Sequence, residues 1–273
     1  MVSQEQRRRQ LAREKFLRQQ QRRTSARRRT QTRNAVIAAV VGVVVAGGAT
    51  AYATGVFKSD DKKTNAGAEA TPSAAPTSKA PDPCEKPAEG AVKSLTWKKE
   101  PAVTIDKSAA YSMKMATTCG DIDIALKAAA APHTVNSFAF LAGKGYFDHT
   151  KCHRLTTNGI YVLQCGDPTA QGSGGPGYTI PDENLKDKTL KGNVYPAGTI
   201  AMANTGQKHT GGSQFFLVYQ DSQLPPSYTP FGTISKSGMT VLKKIAAAGE
   251  STGQGDGAPN ATVVVNKLTV TKS

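Results

Sequence analysis

The side chains whose types and clustering could do chemistry are Arg154, Gln164, Asn204 and Gln214, together with the aromatic residues Tyr161, Phe216 and Tyr228. They fall in short segments: Cys152-His-Arg-Leu155, Tyr161-Val-Leu-Gln-Cys-Gly-Asp167, Met202-Ala-Asn-Thr-Gly206 and Gly212-Ser-Gln-Phe-Phe-Leu217, with Gly172-Ser-Gly-Gly175, Asp182-Glu-Asn184 and Phe231-Gly232 between and after them. The common bond-breaking constellations are missing. There is no Gly-rich phosphate loop followed by Lys-Ser/Thr, no Gly-x-Ser-x-Gly elbow and no His-Glu-x-x-His pair. His149, Cys152 and His153 lie close together, but their spacing matches no standard zinc site, so no metal and no cofactor is expected.

In this order and at about this spacing the segments resemble the cyclophilins. The resemblance runs from about Tyr111 to Val270. It implies peptidyl-prolyl cis/trans isomerase activity on proline-containing polypeptides, with a groove on the outer surface of a β-barrel rather than in its filled interior. It places Arg154 on the catalytic arginine. Tyr161, Val162, Phe216 and Leu224 fall on the proline pocket, and Gln164, Ala203, Asn204 and Gln214 on positions that hold substrate backbone. Two residues look inserted around Thr156–Gly159, which loosens the placement of Tyr161. At the rim, Gln223 stands where the family often has an aromatic residue and Tyr228 where it often has histidine, so inhibitor binding is more altered than catalysis.

The chemistry accounts for such a residue set. Rotation about a peptide bond faces about 18–20 kcal/mol because resonance gives the C–N bond double-bond character. An X-Pro bond exchanges over about 10–100 s although its two isomers are close in energy. No bond breaks, so no nucleophile is needed. A pocket that grips the proline ring and a fixed cation beside the amide stabilise the twisted form, whose nitrogen has regained its lone pair. Arginine suits the task because it is always charged and carries planar donors. A contrasting reading is a module that holds proline segments with little turnover.

Short alternating strands must position these residues. Tyr111–Met115 and Ile122–Leu126 have period two, as Thr262–Val270 roughly does, while Thr199–Met202 and Phe215–Tyr219 read as buried strands. Thr134–Ala142 and Gly238–Ala248 show helical spacing and each ends near a glycine. The pattern is mainly β, and the resemblance implies a closed eight-stranded antiparallel barrel capped by two α-helices.

Before this domain the composition changes three times. Residues 1–34 hold twelve Lys/Arg against Glu5 and Glu14, about +10 of the overall +15. The basic character therefore belongs to the tail, and the barrel is not expected to bind nucleic acid. Residues 35–57 contain no charge and would form a single transmembrane helix of roughly 35 Å. Arg27, Arg28, Arg29 and Arg33 precede that span, which predicts a cytoplasmic N-terminus and an exported domain. Ala51-Tyr52-Ala53 would suit a cleaved signal peptide instead, and either outcome exports the C-terminal part of the chain. Residues 58–83, built of Ala, Thr, Ser, Pro, Lys and Asp, read as a flexible linker, and 84–273 as the folded domain, a monomeric barrel. Four cysteines in an exported domain predict two disulfides. Four cysteines allow three pairings and the sequence does not prove one; strand phase, which puts Cys119 and Cys152 on an outward face, favours Cys119–Cys152 and so Cys84–Cys165.

Overall fold

The computed structural model describes residues 81–272. The basic segment 1–34, the apolar span 35–57 and most of the linker lie outside the described residues. Among the described residues no helix is long and apolar enough to cross a membrane.

Residues 81–110 form a strap without regular secondary structure. Twelve strands and two helices come after it: β1 (Tyr111–Thr117), β2 (Gly120–Leu126), α1 (Pro132–Gly143), β3 (Thr150–Lys151), β4 (Arg154–Thr156), β5 (Val162–Cys165), β6 (Val194–Tyr195), β7 (Thr199–Met202), β8 (Phe215–Val218), β9 (Ser222–Gln223), β10 (Pro230–Ile234), α2 (Lys236–Ala247), β11 (Asp256–Gly257) and β12 (Val264–Lys272). Ten strands make one curled antiparallel sheet in the order β11-β4-β5-β8-β7-β10-β2-β1-β12-β3, and β6 pairs with β9.

The expected eight-stranded closed barrel is corrected by this order. The sheet has ten short strands, and no ladder joins its two ends. The segment carrying β3 and β4 makes the step between them. Cys152 N–H donates to Val263 O at 3.0 Å, whereas the next amide, His153 N–H, donates to Gln164 O at 3.1 Å. One continuous stretch of backbone thus leaves β12 and joins β5, so neither side is paired along its whole length.

Alternation sets the core. In β1 and β2 the buried positions are Tyr111, Met113, Met115 and Thr117, and Ile122, Ile124 and Leu126. Phe138 of α1 packs against Phe147, Phe231 and Phe215 with ring centroids 5.2, 4.7 and 5.5 Å apart. β8 departs from alternation because both its faces are covered. Phe215 and Leu217 face the main core, whereas Phe216 and Val218 belong to a second cluster with Val162, Tyr195 and Ala201.

The helix starts show how local and distant caps differ. Ser235 caps α2 by accepting from Gly238 N–H at 3.0 Å, so the helix begins at Lys236, before the apolar spacing becomes visible. α1 opens on Pro132 and has no local cap. Glu183 reaches it from the loop after β5, accepting from His133 N–H at 3.0 Å and Thr134 N–H at 2.9 Å. A carboxylate at that end also complements the helix dipole.

The expected disulfide pairs are also corrected. The structure joins Cys84 to Cys119, with Cα atoms 4.2 Å apart, and Cys152 to Cys165, with Cα atoms 4.0 Å apart. Strand phase fails here because neither Cys119 nor Cys152 lies in a strand. Cys119 sits in the β1–β2 turn, where Glu85 N–H donates to Thr118 O and brings Cys84 alongside. Cys152 sits at the break between β3 and β4, facing β5. Both are buried.

Candidate active site

One row of residues crosses four strands. Arg154 on β4 is paired with Gln164 on β5, Gln164 with Phe216 on β8, and Phe216 with Ala201 on β7. Directly opposite residues in adjacent strands share a face. The cation, the amide and the aromatic ring therefore lie side by side on the outer surface of the curled sheet.

Each polar member is fixed by hydrogen bonds. Arg154 Nε and Nη2 donate to Asp256 Oδ1 and Oδ2, each at 2.7 Å, and Nη1 donates to Gln164 Oε1 at 3.2 Å. Three of the five guanidinium N–H groups are thereby committed and two remain for a ligand. The Asp256 carboxylate also raises the Arg154 pKa above its already high ordinary value, so the side chain stays charged. Gln164 Nε2 donates to Gln214 Oε1 at 2.9 Å, and Gln214 Nε2 donates to Gly174 O at 3.0 Å. The Gln164 and Gln214 side chains are therefore ordered before any substrate arrives.

The apolar member is the second cluster. Phe216 is 5% exposed and meets the Tyr228 ring edge-on at 5.4 Å, while Ile160, Leu190, Ala203 and Leu224 pack around the cluster. Beneath it lies Tyr195, fully buried, whose hydroxyl donates to Tyr228 O at 2.8 Å. Burial pushes the Tyr195 phenol up to about 12. The result is an apolar floor in which the buried Tyr195 hydroxyl is satisfied.

Of the residues expected here, Arg154, Val162, Gln164, Ala203, Gln214, Phe216, Leu224 and Tyr228 are brought together. Asn204 borders the same surface, but its side chain ties a turn, donating to Ser227 O at 2.8 Å and accepting from Gly206 N–H at 2.9 Å. Tyr161 is not brought in. Alternation along β5 puts Ile160, Val162 and Gln164 outside, and turns Tyr161 toward Tyr219, with ring centroids 5.9 Å apart. Ile160 takes the outer place on the second cluster instead. Cys152, which the sequence places near His149 and His153, has its sulfur bonded to Cys165.

Sequence reasoning missed Asp256, Tyr195 and the strap. Asp256 is 102 positions from Arg154 and carries no local signal. It is delivered by a loop wrapped around Glu250, whose carboxylate accepts from Thr252 N–H at 2.6 Å and Gly255 N–H at 2.8 Å. Beyond Ala203 the surface continues into a groove of about 860 Å³, bordered by Gln164, Gln214, the Gly174–Gly177 loop and, from the strap, Lys98 and Lys99. Asp167 shapes that loop from below, accepting from Thr169 N–H and Gly174 N–H.

Residues 112–270 match the family described as cyclophilin type peptidyl-prolyl cis-trans isomerase/CLD. The chain belongs to this family. Among its relatives, a probable peptidyl-prolyl cis-trans isomerase B of Mycobacterium leprae (strain TN) is 51% identical over 168 residues, which is 59% of this chain and 57% of that one. Its counterpart in Mycobacterium tuberculosis (strain ATCC 25618 / H37Rv) is 47% identical over 168 residues and is covered over 54% of its length. The chain thus spans little more than half the length of these curated relatives. Peptidyl-prolyl cis-trans isomerase B of Bacillus subtilis (strain 168) is 39% identical over 128 residues, 46% of this chain and 82% of that protein. In three dimensions the chain is similar to a cyclophilin type peptidyl-prolyl cis-trans isomerase of Cryptosporidium parvum, with a TM-score of 0.50 and 25% identity, over 60% of this chain and 99% of that one. The family match begins one residue after the first residue of β1, so the cyclophilin fold accounts for the sheet and helices and not for residues 81–110.

Proposed function

We propose that this cyclophilin is a peptidyl-prolyl cis/trans isomerase for exported polypeptides, held at the membrane by residues 35–57 with its folded domain outside the cytoplasm. The observation that carries the catalytic reading is the row Arg154–Gln164–Phe216, which sets a charged guanidinium beside an apolar floor on one open face. A proline ring seated over Phe216, Val162 and Leu224 loses water, and its amide nitrogen then faces the guanidinium. In the twisted amide the nitrogen lone pair is localised, and the two free N–H groups of Arg154 stabilise it more than they stabilise the planar ground state. Gln164 and Gln214 hold the backbone on either side. Asp256 supplies the counter-charge that keeps the guanidinium in place without occupying those two N–H groups.

The membrane and export part rests on the uncharged span and its arginine-rich N-terminal flank, which lie outside the described residues. The two cystine pairs support it, because disulfides persist in oxidising compartments. Two measurements test the proposal. Catalysed exchange of an Ala-Pro peptide by the intact chain is expected in an isomerisation assay, and its absence from folded protein rejects the enzyme. Protease added to cells stripped of their wall is expected to digest the folded domain, and protection until lysis rejects the topology.

A further inference from the structure

The strap before the cyclophilin fold reaches the far wall of the groove. Trp97 N–H donates to Pro176 O at 2.8 Å, and the Trp97 indole packs edge-on against Phe140, with centroids 5.1 Å apart, and against Tyr146 at 6.0 Å. The crossing is close. Gly177 has φ +86°, and a Cβ there would lie 2.7 Å from Trp97 O. Just beyond the next two residues, Glu100 bonds to His133 Nδ1 at 2.7 Å, and Asn136 of α1 accepts from Thr104 N–H at 2.9 Å and donates to Ala102 O at 3.0 Å. Lys98 and Lys99 therefore sit on backbone pinned on both sides, and both line the groove.

Neither lysine has a carboxylate within ion-pair distance among the described residues, and both are exposed. At the other end of the site Arg154 is already balanced by Asp256. Among the described lining residues of the groove, the two lysines outnumber the one carboxylate, Glu100, which is held at His133 on the α1 side. Ala203 touches both the apolar cluster and the groove, so a chain seated with proline over Phe216 runs directly into it.

We propose that Lys98 and Lys99 make this wall a cationic subsite that selects polypeptides with an acidic residue flanking the isomerised X-Pro bond. This rests on the isomerase reading above. Lysines on an exposed strap are ordinarily solvated, but here the backbone cannot carry them away from the groove, so less freedom is lost when an acidic side chain docks.

The test uses the full-length chain and capped peptides with one Ala-Pro bond, placing Glu, Ala or Lys at each of the three positions on either side. At one position or more, Glu is expected to raise kcat/KM about 3- to 10-fold over Ala, the size of one or two partly exposed ion pairs, and Lys to lower it. The gain should shrink as salt rises from about 0.05 to 0.5 M. In the double variant Lys98→Ala/Lys99→Ala the Glu gain should vanish while the Ala peptide is turned over as before. Indifference to Glu at every position, or a preference that survives in the variant, overturns the proposal. Failure to turn over the Ala peptide overturns the isomerase reading instead. Calorimetric binding of the Glu and Ala peptides to both proteins then decides the subsite by the same two criteria.

Discussion

Arg154 and Asp256 form a two-point ion pair, Nε to Oδ1 and Nη2 to Oδ2, both at 2.7 Å. The pair is half open to solvent, with side-chain exposures of 37% and 55%, so it adds little to folding, about 0–1 kcal/mol. Its consequence is positional, since together with the Gln164 bond it fixes the guanidinium in the row that leads to Phe216. Asp256→Ala is expected to lower kcat roughly 5- to 50-fold through misplacement of the cation, with little change in KM or Tm. Asp256→Asn keeps an acceptor and should recover part of the rate. Arg154→Ala removes the charge itself and should cost on the order of 10²–10³ in rate. Normal turnover by folded Asp256→Ala would show that the pair does not position the arginine.

The cystine pairs close loops of different length, with sequence separations of 35 for Cys84–Cys119 and 13 for Cys152–Cys165. Chain entropy alone assigns them about 4 and about 3 kcal/mol respectively. Peptide mapping without reductant should recover these two pairs. Replacing Cys84 and Cys119 together by serine should lower Tm and free the start of the strap, while leaving the Arg154–Gln164–Phe216 row in place. Recovery of a Cys119–Cys152 peptide would reject the pairing.

Acid should destabilise the domain through Asp187. Burial opposes its ionisation, but the Lys127 ammonium at 2.6 Å and hydrogen bonds from Thr189 and Asn184 outweigh that and hold its pKa well below the usual carboxylate range. The folded form thus keeps the carboxylate ionised at a pH where the unfolded chain takes up a proton. The stabilisation is fully present above the ordinary value of about 4 and is lost as pH falls below it toward the folded pKa. Denaturant titrations should show stability flat near neutrality and falling below about pH 4. Asp187→Asn should be less stable at neutral pH and should show a shallower acid slope; an unchanged slope would exclude this carboxylate as a source.

Weak inhibition by the cyclic peptide cyclosporin is expected, because Gln223, an exposed amide on β9, falls where the sequence resemblance implies a rim aromatic ring. Losing 50–100 Å² of apolar contact at about 25 cal/mol per Å² costs roughly 1–2.5 kcal/mol, or about 10- to 70-fold in affinity. Gln223→Trp should restore part of that affinity with little change in turnover, since the proline floor of Val162, Phe216 and Leu224 is untouched. Tight inhibition of the unmodified protein, or no gain with tryptophan, would remove the rim as the determinant.

What the amino-acid order determined by itself is what depends on near neighbours. Period two placed Met113, Met115, Ile122 and Ile124 on an inner face, and helical spacing located both helices to within a few residues. The ordered segments around Arg154, Gln164 and Phe216 marked the site. Tertiary structure decided whatever depends on which distant segment comes alongside. Phe215 and Phe216 are adjacent and both buried; the resemblance pointed to Phe216 as the pocket residue, but periodicity could not separate them, and it is the pairing of β8 between β5 and β7 that puts one in the core and the other on the site face. The inward turn of Tyr161, the floor made by Tyr195 and the anchoring of Arg154 by Asp256 have the same origin. So do the cystine partners, since four cysteines allow three pairings and only the strap and the β3–β4 break bring the right sulfurs together. Local periodicity records the face a residue takes within its own element. The neighbour across that face is set by strand register and chain path, through contacts between residues tens to more than a hundred positions apart, and these leave no local mark in the sequence.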